Sequence, residues 1–84
     1  MRHLASTRFW ALYEALPANV RALADKNFAV LKTDPRHPSL HFKRIGDLWS
    51  VRVGDHFRAL GTEVDEGIYW IRVGTHAEYD RIVG

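Results

Sequence analysis

Along the first third of the chain, apolar residues recur with the period of a helix. Phe9, Leu12, Tyr13 and Leu16 stand at i, i+3, i+4 and i+7, one stripe on one helical face. Ser6 and Thr7 precede the stripe as N-cap types, whose side-chain oxygens accept from the free amides of a first turn. Pro17 ends the stripe and suits the first turn of a second helix. Val20, Leu23, Ala24, Phe28 and Leu31 form the apolar side of that helix, with Arg21, Asp25, Lys26 and Lys32 largely on its other faces. The two stripes, joined at Leu16–Ala18, predict an αα-hairpin. Asp34-Pro35 stops the second helix, because the residue before proline is driven out of the α region. Thr33–Ser39 is then a loop.

From Leu40 the period changes to two. Leu40–Ile45, Trp49–Val53, Phe57–Thr62 and Ile68–Val73 read as strands, rich in β-branched and aromatic residues. Gly46-Asp47 makes one turn, and the acidic Glu63–Gly67 makes an ordinary hairpin loop. Met1–Ala5 reads as a short edge strand and Ala77–Val83 as a short helical turn. Gly54, Gly61, Gly67 and Gly74 mark turns or strand ends. Trp10, Phe42 and Trp49 read as core.

The turn between Val53 and Phe57 admits two registers. A two-residue tip at Gly54-Asp55 pairs Val51 with Arg58, mixing charge into the apolar face. A three-residue loop, Gly54-Asp55-His56, pairs Val53 with Phe57, Arg52 with Arg58 and Val51 with Ala59. Directly opposed residues share a face, so the second register collects Trp49, Val51, Val53, Phe57 and Ala59 on one side. It leaves Ser50, Arg52 and Arg58 on the other, and it is the register expected here. The last strand then turns Tyr69, Ile71 and Val73 inward. Trp70 and Arg72 point outward, joined by His76 if the alternation continues past Gly74. The pattern predicts an α+β fold over residues 1–84 as one domain: a small antiparallel-rich sheet packed on one face by an N-terminal helical hairpin, with a short C-terminal helical turn.

Composition narrows the functional classes. A chain of 84 residues has room for one modest core. The absence of cysteine excludes disulfides, thiolate metal sites and a cysteine nucleophile. No apolar run is long enough to span a membrane, and no signal-peptide pattern opens the chain, so a cytoplasmic location is expected. Net charge is only +2, but residues 1–44 hold eight Lys/Arg against three acids and residues 45–84 hold four Arg against seven acids. A basic middle, Lys32 to Arg58, can meet an anionic partner; charge alone equally fits a solvated polar surface.

Other motifs are weak. His37 and His41 are four apart, but Pro38 between them disfavours the helix that would align them on zinc. Glu63, Asp65 and Glu66 read as a solvated loop, and Ser6, Ser39 and Ser50 lack a triad arrangement. There is no Gly-rich phosphate loop. Neither a metal nor a cofactor is expected.

Taken in order, the segments FW-x-x-Y-x-x-LP (Phe9–Pro17), HPSLHFK (His37–Lys43), FKRIGDLWSVRVGDHFRALG and WIRVGTHAEYDRIV resemble the RelE/ParE superfamily of bacterial toxins, in particular its HigB-like branch. The resemblance covers nearly the whole chain. It implies a toxin of a type II toxin–antitoxin pair, neutralised by a cognate antitoxin protein. Many relatives are ribosome-dependent mRNA endonucleases that inhibit translation; ParE-like relatives instead inhibit DNA gyrase without being nucleases, and a degenerate member kept as a binding module is a third reading. On the nuclease reading, Lys43 and Arg52 match basic residues expected to hold phosphate, and Arg58 matches the arginine expected to stabilise charge on the scissile phosphate. His76 falls where relatives place a basic or histidine residue. Tyr79 matches an aromatic that stacks on a base or helps proton transfer, and His76-x-x-Tyr79-Asp80 is the HigB-like form of that ending.

The chemistry of these residue types agrees with that reading. RNA can supply its own 2′-hydroxyl as nucleophile, leaving the protein to move protons and stabilise charge on phosphorus. Histidine titrates near neutrality and suits a general acid or base at His76. Arginine presents a planar fork of donors to phosphate oxygens, which suits Arg52 and Arg58, with Arg72 on the same face. Tyr79 and Trp70 offer rings on which unstacked bases can lie.

Overall fold

A computed structural model describes residues 2–83, with side chains through residue 81. Strand β1 (Arg2–Ala5) is followed by helices α1 (Thr7–Glu14) and α2 (Ala18–Thr33) and a 3₁₀ turn at Pro38–Leu40. Strands β2 (Lys43–Ile45), β3 (Leu48–Gly54), β4 (Phe57–Val64) and β5 (Gly67–Thr75) come next, and helix α3 (His76–Val83) closes the order. The strands form one sheet in the order β1-β5-β4-β3-β2. Only the β1–β5 pairing is parallel. The expected edge strand is thus present; Met1, its first residue, lies outside the described residues.

The helical hairpin forms for the reasons its sequence announces. Ser6 caps α1, its Oγ accepting from the Phe9 amide at 3.0 Å. Pro17 occupies the cap of α2, and α2 ends at Thr33, just before Asp34-Pro35. Helix α1 lies over β5 and α2 over β3, on the same sheet face. Of the α2 stripe Val20 and Leu31 are buried, whereas Leu23 and Phe28, expected to face the sheet, are 40% and 42% exposed. Leu16 from the connection between the helices and Val20 and Leu31 from α2 join Val51, Val53 and Ala59 from the sheet in the core. Trp10, expected in the core, is 52% exposed, because it sits one position off the buried stripe.

The β3–β4 register places Arg52 opposite Arg58 and Val51 opposite Ala59, as expected. The turn differs by one residue. Gly54, not Val53, faces Phe57, so Val53 is bulged and the tip is Asp55-His56. A classic-type count of two residues against one leaves carbonyls without ladder partners. Asn27 of α2 meets this need: its Nδ2 donates to the carbonyl oxygens of Val53 at 2.8 Å and Arg52 at 3.2 Å. Upstream, the expected strand from Leu40 is shorter. Leu40 ends the 3₁₀ turn, and pairing begins only at Lys43. His37 caps that turn, its Nδ1 accepting from the Ser39 amide at 3.2 Å.

Strand β5 corrects the expected facing of Trp70. Leu60 faces Arg72 while Gly61 faces Trp70, so Ile71 is an extra residue in the ladder. Alternation reverses on its N-terminal side. Ile68 and Trp70 turn toward the helices and are buried, whereas Tyr69 turns out and is 37% exposed. Gly61, inside β4 rather than at its end, permits this. A Cβ there would lie 2.9 Å from Trp70 Cε3 and 2.6 Å from Ile68 Cγ2. The indole Nε1–H, which needs an acceptor once buried, donates to His3 Nδ1 at 3.1 Å, and the two rings stack. Burial, helped by the Lys32 cation, holds His3 below the ordinary histidine range.

Candidate nucleic-acid interface

The face of the sheet away from α1 and α2 carries the cations. Successive ladder pairs make its rows. Lys43 opposes Ser50, Ser50 opposes Leu60, and Leu60 opposes Arg72. The adjacent row runs Arg52, Arg58, Gly74. Because opposed residues share a face, Lys43, Arg52, Arg58 and Arg72 stand on one surface. Thr62 and Tyr69 oppose each other on that surface too. Tyr69 thereby takes the outward aromatic place expected of Trp70, which packs on the far side and leaves the candidate list.

The two facing arginines are in unlike surroundings. Arg52 is partly exposed and reaches along its own turn, ion-paired to Asp55 and donating from Nε to the Gly54 carbonyl at 3.4 Å. Arg58 is 6% exposed. Its Nε donates to Ser50 Oγ at 2.8 Å and its Nη2 to the His41 carbonyl at 3.2 Å. Among the described residues no ion pair involves Arg58. A buried cation without a carboxylate is costly.

Helix α3 brings up the remaining candidates. The tyrosine ring of Tyr79 lies over the guanidinium, 5.2 Å from Arg58 Cζ. Its other neighbour is His76, whose exposed ring sits edge-on at 6.0 Å between centroids. Tyr79 therefore links Arg58 to His76. The start of α3 is pinned twice: the His76 amide donates to the His56 carbonyl at 2.9 Å, and Thr75 and Glu78 form a reciprocal cap. That cap is legible as T-x-x-E, the capping-box pattern, and would have moved the helix start from Ala77 to His76. Arg58, Arg72, Thr75, Glu78 and Tyr79 line a cavity of about 20 Å³, the size of one water. Among the described residues no group of three or more His, Asp or Glu is placed to hold a metal ion.

No protein-family model and no curated protein matches the chain. Solved structures do. A chain of the RelB–RelE antitoxin–toxin complex from Methanococcus jannaschii superposes with a TM-score of 0.73 at 13% identity, over 96% of this chain and 99% of that one. The fold is that of the RelE toxins. A YoeB/ParE toxin from Agrobacterium tumefaciens superposes at 0.69 with 15% identity, over 90% of this chain and 99% of that one. The isolated RelE toxin of E. coli superposes at 0.63 with 16% identity, over 95% of this chain and 93% of that one.

On this RelE fold, Lys43, Arg52, Arg58, Arg72 and Tyr79 converge on one face, with His76 at its margin. Sequence reading missed Ser50 and the His41 carbonyl. Ser50 left a signal: a lone hydroxyl on the arginine side of an otherwise apolar strand. His41 left none, since a backbone carbonyl is common to every residue. No helix of the described residues is long and apolar enough to cross a membrane.

Proposed function

We propose that this chain is the toxin of a type II toxin–antitoxin pair and acts as an mRNA endoribonuclease. The observation that carries the reading is Arg58: a buried guanidinium with no acid partner among the described residues, on a face shared with three further cations and roofed by a tyrosine. A polyanion supplies the missing charge. The superposed RelE structures support the toxin class, and those solved with RelB support a small antitoxin as partner. The HigB-like ending His76-x-x-Tyr79-Asp80 is the finer sequence likeness.

In the proposed reaction the 2′-oxygen of RNA attacks the adjacent phosphorus, forming a 2′,3′-cyclic phosphate and releasing a 5′-hydroxyl. His76 or Tyr79 moves the protons, and Arg58 stabilises the charge that develops on phosphorus; preorganised charge of this kind is usually the largest catalytic contribution. Arg52, Arg72 and Lys43 hold flanking phosphates. Tyr69 stands two ladder rows from Arg58, about 13 Å at the rise of a strand, where it can stack a neighbouring base.

Induced expression followed by mapping of mRNA 5′ ends, with and without ribosomes, tests the reading. New 5′ ends and growth arrest are expected from the native chain and neither from the Arg58→Ala, His76→Gln double variant. A 2′-deoxy substitution at the cut position should block cleavage. Full toxicity in the double variant would overturn the nuclease reading in favour of a gyrase-binding toxin.

A further inference from the structure

Three unfavourable features meet at one guanidinium. Arg58 is a buried cation with no carboxylate against it among the described residues. Ser50 is fully buried in the middle of β3, where its hydroxyl is a polar group that must be satisfied inside the protein. His41 has φ 44° and ψ 44°, the one non-glycine residue with positive φ among the described residues. Such backbone is sparsely populated and collects at functional sites. Each feature points to the same edge of Arg58. The Nε–H and Nη2 of an arginine share one edge of its planar guanidinium, and here they meet Ser50 Oγ at 2.8 Å and the His41 carbonyl at 3.2 Å.

We propose that Ser50 and the His41 carbonyl are positioning groups that lock Arg58 by its side edge, so that it meets an anionic oxygen end-on through Nη1. This deepens the nuclease reading and rests on it for the identity of the anion, a phosphodiester. Nη1 has no protein partner among the described residues, and no buried side-chain nitrogen or oxygen there lacks one, so Nη1 is not sealed from solvent. Tyr79 covers one flat face of the guanidinium. The left-handed turn at His41 aims a carbonyl, rather than a side chain, at Arg58. The 3₁₀ turn and the sheet thus grip the cation from two directions. A guanidinium so held cannot swing to follow its ligand, which is the preorganisation that charge stabilisation requires. Neither Ser50 nor His41 touches the anion; both act through Arg58.

Ser50→Thr and Ser50→Val test this as a pair, because threonine and valine are near-isosteric in shape and only threonine keeps the hydroxyl. Inorganic phosphate is the probe, followed through the Arg58 guanidinium resonances of the full chain by NMR. The Nε–H should exchange slowly and the resonances shift with phosphate in the native chain and Ser50→Thr. Fast exchange and loss of the shift are expected in Ser50→Val. In single-turnover cleavage of mRNA, Ser50→Val should lower the maximal rate about tenfold or more with half-saturation changed less than about threefold. A Ser50→Val chain that is folded, responds to phosphate and keeps its Nε–H protected overturns the proposal. A native chain that responds to phosphate but cuts no mRNA overturns the nuclease reading and leaves the positioning role standing.

Discussion

The two faces of the sheet solve opposite problems. The helix face takes a large aromatic, Trp70, and satisfies its one polar atom with a neutral His3. Among the described residues no buried side-chain nitrogen or oxygen there lacks a hydrogen-bond partner, so burial stabilises. The other face buries Arg58, whose charge is hydrogen-bonded but not neutralised by any described acid. Within that second face the contrast repeats. Arg52 is partnered by Asp55 at the surface, an arrangement worth about 0–1 kcal/mol, whereas Arg58 is retained without such a partner. The difference teaches where stability ends and chemistry begins: apolar area and matched hydrogen bonds on one side, an unneutralised charge on the other.

Five experiments break or sharpen the contrast. The largest effect is expected from Trp70→Ala, which should destabilise by about 3–5 kcal/mol in urea unfolding because it empties a packed site. A small change there would mean that the indole is not central to the helix face. Next, on the proposed nuclease reading, Arg58→Ala should lower mRNA cleavage about 10²–10³-fold while the chain stays folded by circular dichroism. Arg52→Ala should lower it only about tenfold, since Arg52 already spends its charge on Asp55; equal losses would erase the distinction between the two arginines. Asn27→Ala should destabilise by about 1–3 kcal/mol by leaving the two bulge carbonyls without their donor, read by thermal unfolding.

The smallest effect is the pH dependence of His3. Its folded pKa lies below the ordinary 6.5 because burial disfavours the charged ring. The unfolded chain therefore takes up the proton first as pH falls. The stability contributed by neutral His3 is fully present above 6.5 and is lost as pH falls through the lower folded value. Melting temperature followed from pH 7 downward should show the decline, and His3→Gln, which keeps an acceptor for Trp70 but cannot titrate there, should flatten it.

How much of this was legible depends on the range of the forces involved. Helix stripes, the Ser6 cap, the stops at Pro17 and Pro35, and the pairing of Arg52 with Arg58 follow from local periodicity and local sterics, and the sequence by itself determined them. The facing of Trp70 did not follow. A single bulged residue, Ile71, reverses a strand's alternation, and what permits the bulge is the absence of a side chain at Gly61 on the neighbouring strand. The second bulge, at Val53, is likewise held from another element, by Asn27 of α2. The cations were readable as residue types on one face; which of them is buried, and by what it is gripped, was not. Only the tertiary structure decided that, because the hold on Arg58 is built from a hydroxyl in β3, a carbonyl in a left-handed turn and a ring on α3, three groups brought together by packing rather than by proximity along the chain.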